Sequence, residues 1–286
     1  MSGEPEPAGS GPRAAGVIGH PVAHSLSPAI HDAAFAACGL DWTYLVLDVP
    51  PGRGGEAVRA MPARGLTGLS VTMPHKEAAA AAVDRLSDDA AALGAVNTVT
   101  LGDDGVLTGE STDGAGFIDS LRGDHGIDVG GWRAVVIGAG GAARAVVLAL
   151  AGAGAAEVGV LNRTSSRAER AAALAGARGS VVAATRASAS VASADLVVNA
   201  TPLGMAGVAE GELPVDPGWL RPGQVVVDLV YRPLETPLLL AAVERGARPV
   251  DGLGMLVHQA AHQFGLWTGV EPPLPVMFDA VRRRVS

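Results

Sequence analysis

Apolar positions along the first third of the chain alternate between two rhythms. Residues 14–21 (AAGVIGHP), 42–49 (WTYLVLDV) and 66–72 are short β-branched or apolar runs and read as strands. Between them the spacing is helical. Ser27-Pro28 looks like an N-cap followed by proline at the first helical position, and AIHDAAFAAC then runs to a stop at Gly39. Residues 54–60 form a short helix, and Pro74 opens another through HKEAAAAAVDRL. The runs 96–101 and 106–108 flank Asp104-Gly105, a hairpin signal.

A helix over 114–121 and a glycine-rich break lead into a second rhythm. RAVVIGAGGAARAVVLALAGAG is strand, glycine turn and helix; EVGVLNRT is a strand and SSRAERAAALAG a helix. SVVAAT, DLVVNAT and QVVVDLVY are three more strands. Unalternated valine and leucine runs mean strands buried on both faces, as in a parallel sheet. The expected fold is therefore α/β, with a doubly wound second domain. Two further helices, GLGMLVHQAAHQFGLW and PVMFDAVRRRV, end the chain. The organisation expected is a disordered tail over 1–13, a first domain built from 14–112 plus 252–286, and a nucleotide-binding domain over 113–251.

Composition narrows the function. The 286 residues are 48% hydrophobic and 3% aromatic, so the core is packed with Ala, Val and Leu. A formal charge of −8 argues against nucleic acid or an anionic membrane surface as partner. No stretch reads as a membrane span, and the first residues lack the apolar region of a signal peptide. With one cysteine, Cys38, there is no disulfide framework, and the expected location is cytoplasmic. His20, His24, His31 and His75 show no metal-ligand spacing. His258 and His262 share a helix face, but no Glu follows the first, so no metal is expected. Among 21 basic residues Lys76 is the single lysine. It is either a chance survivor of a drift toward arginine or kept for proton chemistry a guanidinium cannot do.

Gly138-Ala139-Gly140-Gly141-Ala142-Ala143 follows a strand and opens a helix. This is G-x-G-x-x-A in the context that binds a dinucleotide pyrophosphate. At the end of the next strand, where an acid would accept from the ribose of NAD, stand Asn162-Arg163-Thr164, with Arg167 one turn on. Two guanidiniums and no carboxylate favour the 2′-phosphate of NADP. Hydroxyls cluster in the first domain: Ser25, Ser27, Ser70 and Thr72, the last close to Lys76. Such groups bind a carboxylate without net charge. Ser27 and Asp113 equally suit plain N-caps.

The segments GHPVAHSLSPAIH, SVTMPHK, LGAVNT, STDGAGF, GAGGAARA, NRT, NATPLGM, DLVYRPLETPLL and GLGMLVHQAAHQFGLWTG follow one another in order. Together they resemble the shikimate dehydrogenases, the NADP-linked family that reduces 3-dehydroshikimate in aromatic amino-acid biosynthesis. The resemblance implies Lys76 and Asp113 as the catalytic pair. It implies Ser25, Ser27, Thr72 and Tyr231 at the substrate carboxylate, and Asn97 and Gln259 at the ring hydroxyls. Gly138, Gly140, Gly141 and Ala142 line the pyrophosphate turn. Asn162, Arg163, Thr164 and Arg167 match the adenosine-phosphate site. Thr201, Leu229, Gly252 and Met255 approach the nicotinamide. A homodimer is among the assemblies it admits.

Two positions depart from the family pattern: Ser70, where the family usually has Asn, and Ser111 of Ser111-Thr112-Asp113, where it usually has Asn-Thr-Asp. Burial would lower the pKa of Lys76 while the Asp113 charge opposes that. Two other readings stand beside the first: a quinate/shikimate or aminoshikimate-type dehydrogenase, and a noncatalytic NADP-binding sensor. The resemblance implies shikimate where Ser27, rather than a bulkier threonine, stands; a sensor needs neither Lys76 nor Asp113.

Overall fold

The computed structural model describes residues 13–285. The tail expected over 1–13 lies outside them except for Arg13, which opens the first strand. The chain begins β1 (Arg13–Gly19), α1 (Ser27–Ala37), β2 (Trp42–Asp48), α2 (Gly54–Arg59), β3 (Leu66–Val71), α3 (Lys76–Ala80), β4 (Arg85–Leu86), α4 (Asp88–Leu93), β5 (Thr98–Leu101) and β6 (Leu107–Glu110). These strands make a six-stranded sheet in the order β2-β1-β3-β5-β6-β4. β1 runs parallel to both neighbours, and β5 runs antiparallel to β3 and β6.

The chain continues as α5 (Asp113–Asp119), β7 (Arg133–Ile137), α6 (Gly141–Gly152), β8 (Glu157–Leu161), α7 (Ser165–Ala173), β9 (Gly179–Val181), α8 (Ala187–Ser193), β10 (Leu196–Asn199), β11 (Val225–Asp228), α9 (Pro237–Glu244) and β12 (Arg248–Val250). This second sheet is wholly parallel, in the order β12-β11-β10-β7-β8-β9. Every residue of β10 and β11 is buried, as their unalternated valines require. Chain order reverses between β7 and β10, so a crevice opens beyond the carboxyl ends of those two strands. Finally α10 (Leu253–Thr268) and α11 (Leu274–Val285) return to the first sheet. Val257, Ala260, Ala261 and Phe264 of α10 bury against Val17, Ile30 and Phe35. Among the described residues no helix is long and apolar enough to cross a membrane.

Two local expectations need correction, and several elements go beyond those expected. Ser27 does not cap α1; it is the first helical residue, and no side chain caps the helix. The helix expected from Pro74 to Leu86 ends at Ala80, because Asp84 leaves to pair with Leu107. Asp84 N donates to the Leu107 carbonyl at 2.9 Å, and its carboxylate accepts from Leu107 N at 2.8 Å. A strand pairing that satisfies both partners outweighs alanine's helix preference. The following α4 is a further element, capped by Ser87, which accepts from Ala90 N at 3.3 Å. The helices α8 and α9 and strand β12 also lie beyond the expected set.

α5 crosses α10 closely. A β-carbon on Gly116 would stand 2.5 Å from the backbone nitrogen of Gln259, so only glycine fits there. We predict that Gly116→Ala destabilises the fold by about 1–3 kcal/mol, the usual cost of overpacking. Urea unfolding measures it, and an unchanged midpoint would mean the helices part freely.

Candidate active site

Lys76 opens α3 beside the end of β3, and Asp113 opens α5 just after β6. The two meet: Lys76 Nζ donates to Asp113 Oδ2 at 2.5 Å. Their side chains are 19% and 11% exposed, so the pair is largely withdrawn from water yet reachable from one side. A buried carboxylate needs every oxygen engaged. Asn97 meets that need by donating from Nδ2 to Asp113 Oδ1 at 2.7 Å and to Thr112 Oγ1 at 3.0 Å. The Asn97 side-chain oxygen in turn accepts from Thr112 N and the Thr98 hydroxyl, both at 2.8 Å. Asp113 is therefore not an N-cap; its side chain is spent on Lys76 and Asn97.

The pair lies against the glycine turn. A β-carbon on Gly141, the first residue of α6, would be 3.5 Å from Lys76 Cδ. Alongside, Arg144 of α6 bonds Glu77 of α3 at 3.2 Å. Gly138 takes φ +110°, a conformation that other residues rarely adopt. A β-carbon there would stand 3.0 Å from the Ala200 carbonyl and 3.1 Å from Thr201, which brings Thr201 to the turn. Gly140 faces open space, and no side chain caps the N-terminus of α6, whose free N–H groups suit a pyrophosphate. Ala142 sits half-buried in that first turn. Asn162 Nδ2 donates to the Thr164 carbonyl at 3.0 Å, tightening the turn after β8. Arg163, Thr164 and Arg167 are exposed, and neither guanidinium has an acidic partner among the described residues. This arrangement fits a dinucleotide carrying an extra phosphate. Leu229 and Gly252 pack tightly, a β-carbon on Gly252 colliding with the Leu229 carbonyl oxygen, and half-buried Met255 lies one turn on.

Beneath Thr201, the buried Asp228 accepts from Asn199 at 2.9 Å and Thr236 at 2.7 Å. Burial nevertheless raises its pKa. Neither Asn199 nor Asp228 was singled out from the sequence.

On the other side of Lys76, Thr72 follows β3, and its backbone N–H donates to the Ile18 carbonyl at 2.9 Å. Ser25 and Ser27 are half-buried at the start of α1; Ser27 N donates to Ser25 Oγ at 3.3 Å. Burial raises the Tyr231 phenol, so it stays a donor. Gln259 is half-buried, its amide donating to the Leu256 carbonyl at 2.8 Å. The more buried glutamine of α10 is Gln263, which was not singled out although it repeats the Gln259 signal four residues on. His258 and His262 bond Asp124 and Asp119, at 3.1 and 2.7 Å. No group of three or more potential ligands that suits a metal ion is present among the described residues.

Models of three domains match the chain: the shikimate dehydrogenase substrate binding domain over 17–99, shikimate/quinate 5-dehydrogenase over 124–212, and the shikimate 5′-dehydrogenase C-terminal domain over 252–282. The NADP(+) shikimate dehydrogenase of Moorella thermoacetica is 49% identical, over 94% of this chain and 92% of its own. The chain belongs to the shikimate dehydrogenase family. Its counterpart in Methanopyrus kandleri is 46% identical over 93% of each chain. The Thermus thermophilus shikimate 5-dehydrogenase, solved with NADP(H) and shikimate, superposes with a TM-score of 0.86 at 40% identity, over 95% of this chain and 99% of that one. A quinate dehydrogenase from Corynebacterium glutamicum, solved with NAD, gives 0.88 at 33% identity, again over 95% and 99%.

One buried histidine makes the stability of the fold pH-dependent. Burial pushes His31 from 6.5 down to about 3. Between those values the unfolded chain binds a proton that the fold refuses, so stability falls as pH falls, by at most about 1.4 kcal/mol per pH unit. We predict that His31→Asn flattens this acid limb in urea titrations from pH 7 to 4. Parallel limbs in the two proteins would assign it to another group.

Proposed function

We propose that this protein is an NADP-dependent shikimate dehydrogenase, reversibly reducing the ring ketone of 3-dehydroshikimate to an alcohol. The observation that carries the reading is the Lys76–Asp113 pair, largely buried against the glycine turn. A nucleotide sensor has no need of such a pair. The absence of an acid after β8 favours NADP over NAD. The reading divides the chain as expected: 14–112 with 252–286 for substrate, 113–251 for nucleotide.

Bound NADPH supplies the hydride. The protein supplies position and the proton. Ser25, Ser27, Thr72 and Tyr231 hold the carboxylate through hydroxyls, which suits a protein whose overall charge is negative. Asn97 and Gln259 orient ring hydroxyls. Lys76 Nζ gives its proton to the ketone oxygen as it gains charge, and in the alcohol direction takes it back. Asp113 holds the amine in place, and Asn97 keeps Asp113 from turning away. Gly138, Gly140, Gly141 and Ala142 receive the pyrophosphate; Asn162, Arg163, Thr164 and Arg167 receive the adenosine phosphate. Thr201, Leu229, Gly252 and Met255 form the walls at the nicotinamide. The reading includes a cytoplasmic location, in keeping with a single cysteine; a homodimer stays an expectation of the resemblance alone.

An assay pairing shikimate or quinate with NADP or NAD tests the whole reading, and no turnover with any pair would sink it. We predict that Lys76→Ala lowers kcat about a thousandfold with little change in substrate KM. Lys76→Arg should fail as badly, since a guanidinium keeps its proton; wild-type turnover by either variant would remove Lys76 from proton transfer. The double change Arg163→Ala/Arg167→Ala should raise the NADP KM about 10–100-fold and leave the NAD KM unchanged. Equal losses with both cofactors would place the arginines elsewhere.

A further inference from the structure

A one-way chain of hydrogen bonds runs under the substrate side of the site. Its direction starts at the Asn97 carbonyl, which can only accept. That oxygen takes Val71 N at 2.7 Å and Gln263 Nε2 at 3.4 Å. The amide of Gln263 must therefore present nitrogen to Asn97 and oxygen the other way. Oε1 then accepts the Ser70 hydroxyl at 2.7 Å and His31 Nε2–H at 3.3 Å. The second bond assigns the His31 tautomer, with Nδ1 bare; that atom indeed finds no partner, as a neutral imidazole allows. Ser70, its proton spent, accepts from the Tyr44 hydroxyl at 2.7 Å. The Ser27 hydroxyl stands close enough to the phenol to favour its charged form, and Tyr44, its proton spent in turn, has only acceptor capacity left to offer it. The Tyr44 ring is kept in place by His31, stacked on it at 4.6 Å between centroids and 7° between planes.

We propose that Gln263 is a positioning residue for substrate binding. It fixes the direction of the chain from Asn97 through Ser70 and Tyr44 to Ser27, and it supplies from α10 the amide that the resemblance leads one to expect at position 70. The proposal rests on the reading of Ser27 as a carboxylate ligand. Asn97 is where the chain joins the proton machinery: its backbone carbonyl anchors Gln263 while its side chain anchors Asp113. With Tyr44 committed to Ser70, the Ser27 hydroxyl is free to turn from Tyr44 toward an anion. That exchange leaves no proton without an acceptor, because a phenol oxygen needs no donor. Removing the Gln263 amide strips the acceptor from Ser70 and His31 together and lets both hydroxyls behind Ser27 reorient.

Steady-state kinetics test the proposal. Gln263→Leu, which fills the space without an amide, should raise the shikimate KM about tenfold, leave kcat within about threefold and leave the NADP KM unchanged. Tyr44→Phe breaks the same chain one link on and should match it; it serves as the readout if Gln263→Leu does not fold. Ser70→Asn alone should also raise the shikimate KM, because a longer side chain meets Gln263 Oε1 now 2.7 Å away. Ser70→Asn/Gln263→Ala should return it to within about twofold of the parent. The proposal is overturned if Gln263→Leu and Tyr44→Phe leave the shikimate KM unchanged, or if the double variant shows the product of its single losses. Ser27→Ala separates the two levels. If it fails to raise the shikimate KM, the carboxylate reading falls; if it raises the KM while the Gln263 and Tyr44 variants do not, the present inference alone falls.

Discussion

The contact between Lys76 and Asp113 is the constraint around which the rest is arranged. Two opposite charges only partly in water cost solvation, and their attraction repays it only when the remaining lone pairs and protons are engaged. Asn97 does that for Asp113 with one amide hydrogen, while its oxygen collects Thr98 and Thr112. The result is a carboxylate that cannot rotate and an amine that points where it does. Each partner stands at the first residue of its helix, so small shifts of α3 or α5 would separate them.

The two sheets serve this contact differently. The parallel sheet reverses its strand order between β7 and β10 and so leaves a crevice at their carboxyl ends. The mixed sheet and α10 bring hydroxyls and amides toward the same place. What joins the halves is close approach: α5 against α10 at Gly116, α3 against the turn at Gly141, and the Glu77–Arg144 bond beside it. Small residues at these points let backbones and the lysine stem come near enough for the chemistry.

Hydroxyls and amides share the work of the substrate side, and their order of donation matters as much as their identity. A carbonyl at Asn97, able only to accept, propagates a direction through three side chains, Gln263, Ser70 and Tyr44, toward Ser27. Gln263 is buried in the middle of that path, whereas Gln259 lies half-exposed with its amide turned back on its own helix.

Much of this was legible along the chain because its signals are local. Valine runs in β10 and β11 mark buried parallel strands, and the glycine spacing after β7 marks a turn that no other residue type makes. The arginines after β8 likewise suit a phosphate by their chemistry alone. Where the reading failed, a distant partner outweighed a local preference. The helix from Pro74 ended early because Asp84 found Leu107, and Asp113 was not a cap because Lys76 and Asn97 engaged its carboxylate. The importance of Gln263 depended on Ser70, 193 positions away, which no local pattern contains. Sequence alone thus determined the fold class, most of the elements and the residue types able to carry a proton or hold a phosphate, because those follow from side-chain chemistry and near-neighbour spacing. Only the tertiary structure decided which of them meet and which way each hydrogen bond runs, because both depend on atoms that folding brings together from far along the chain.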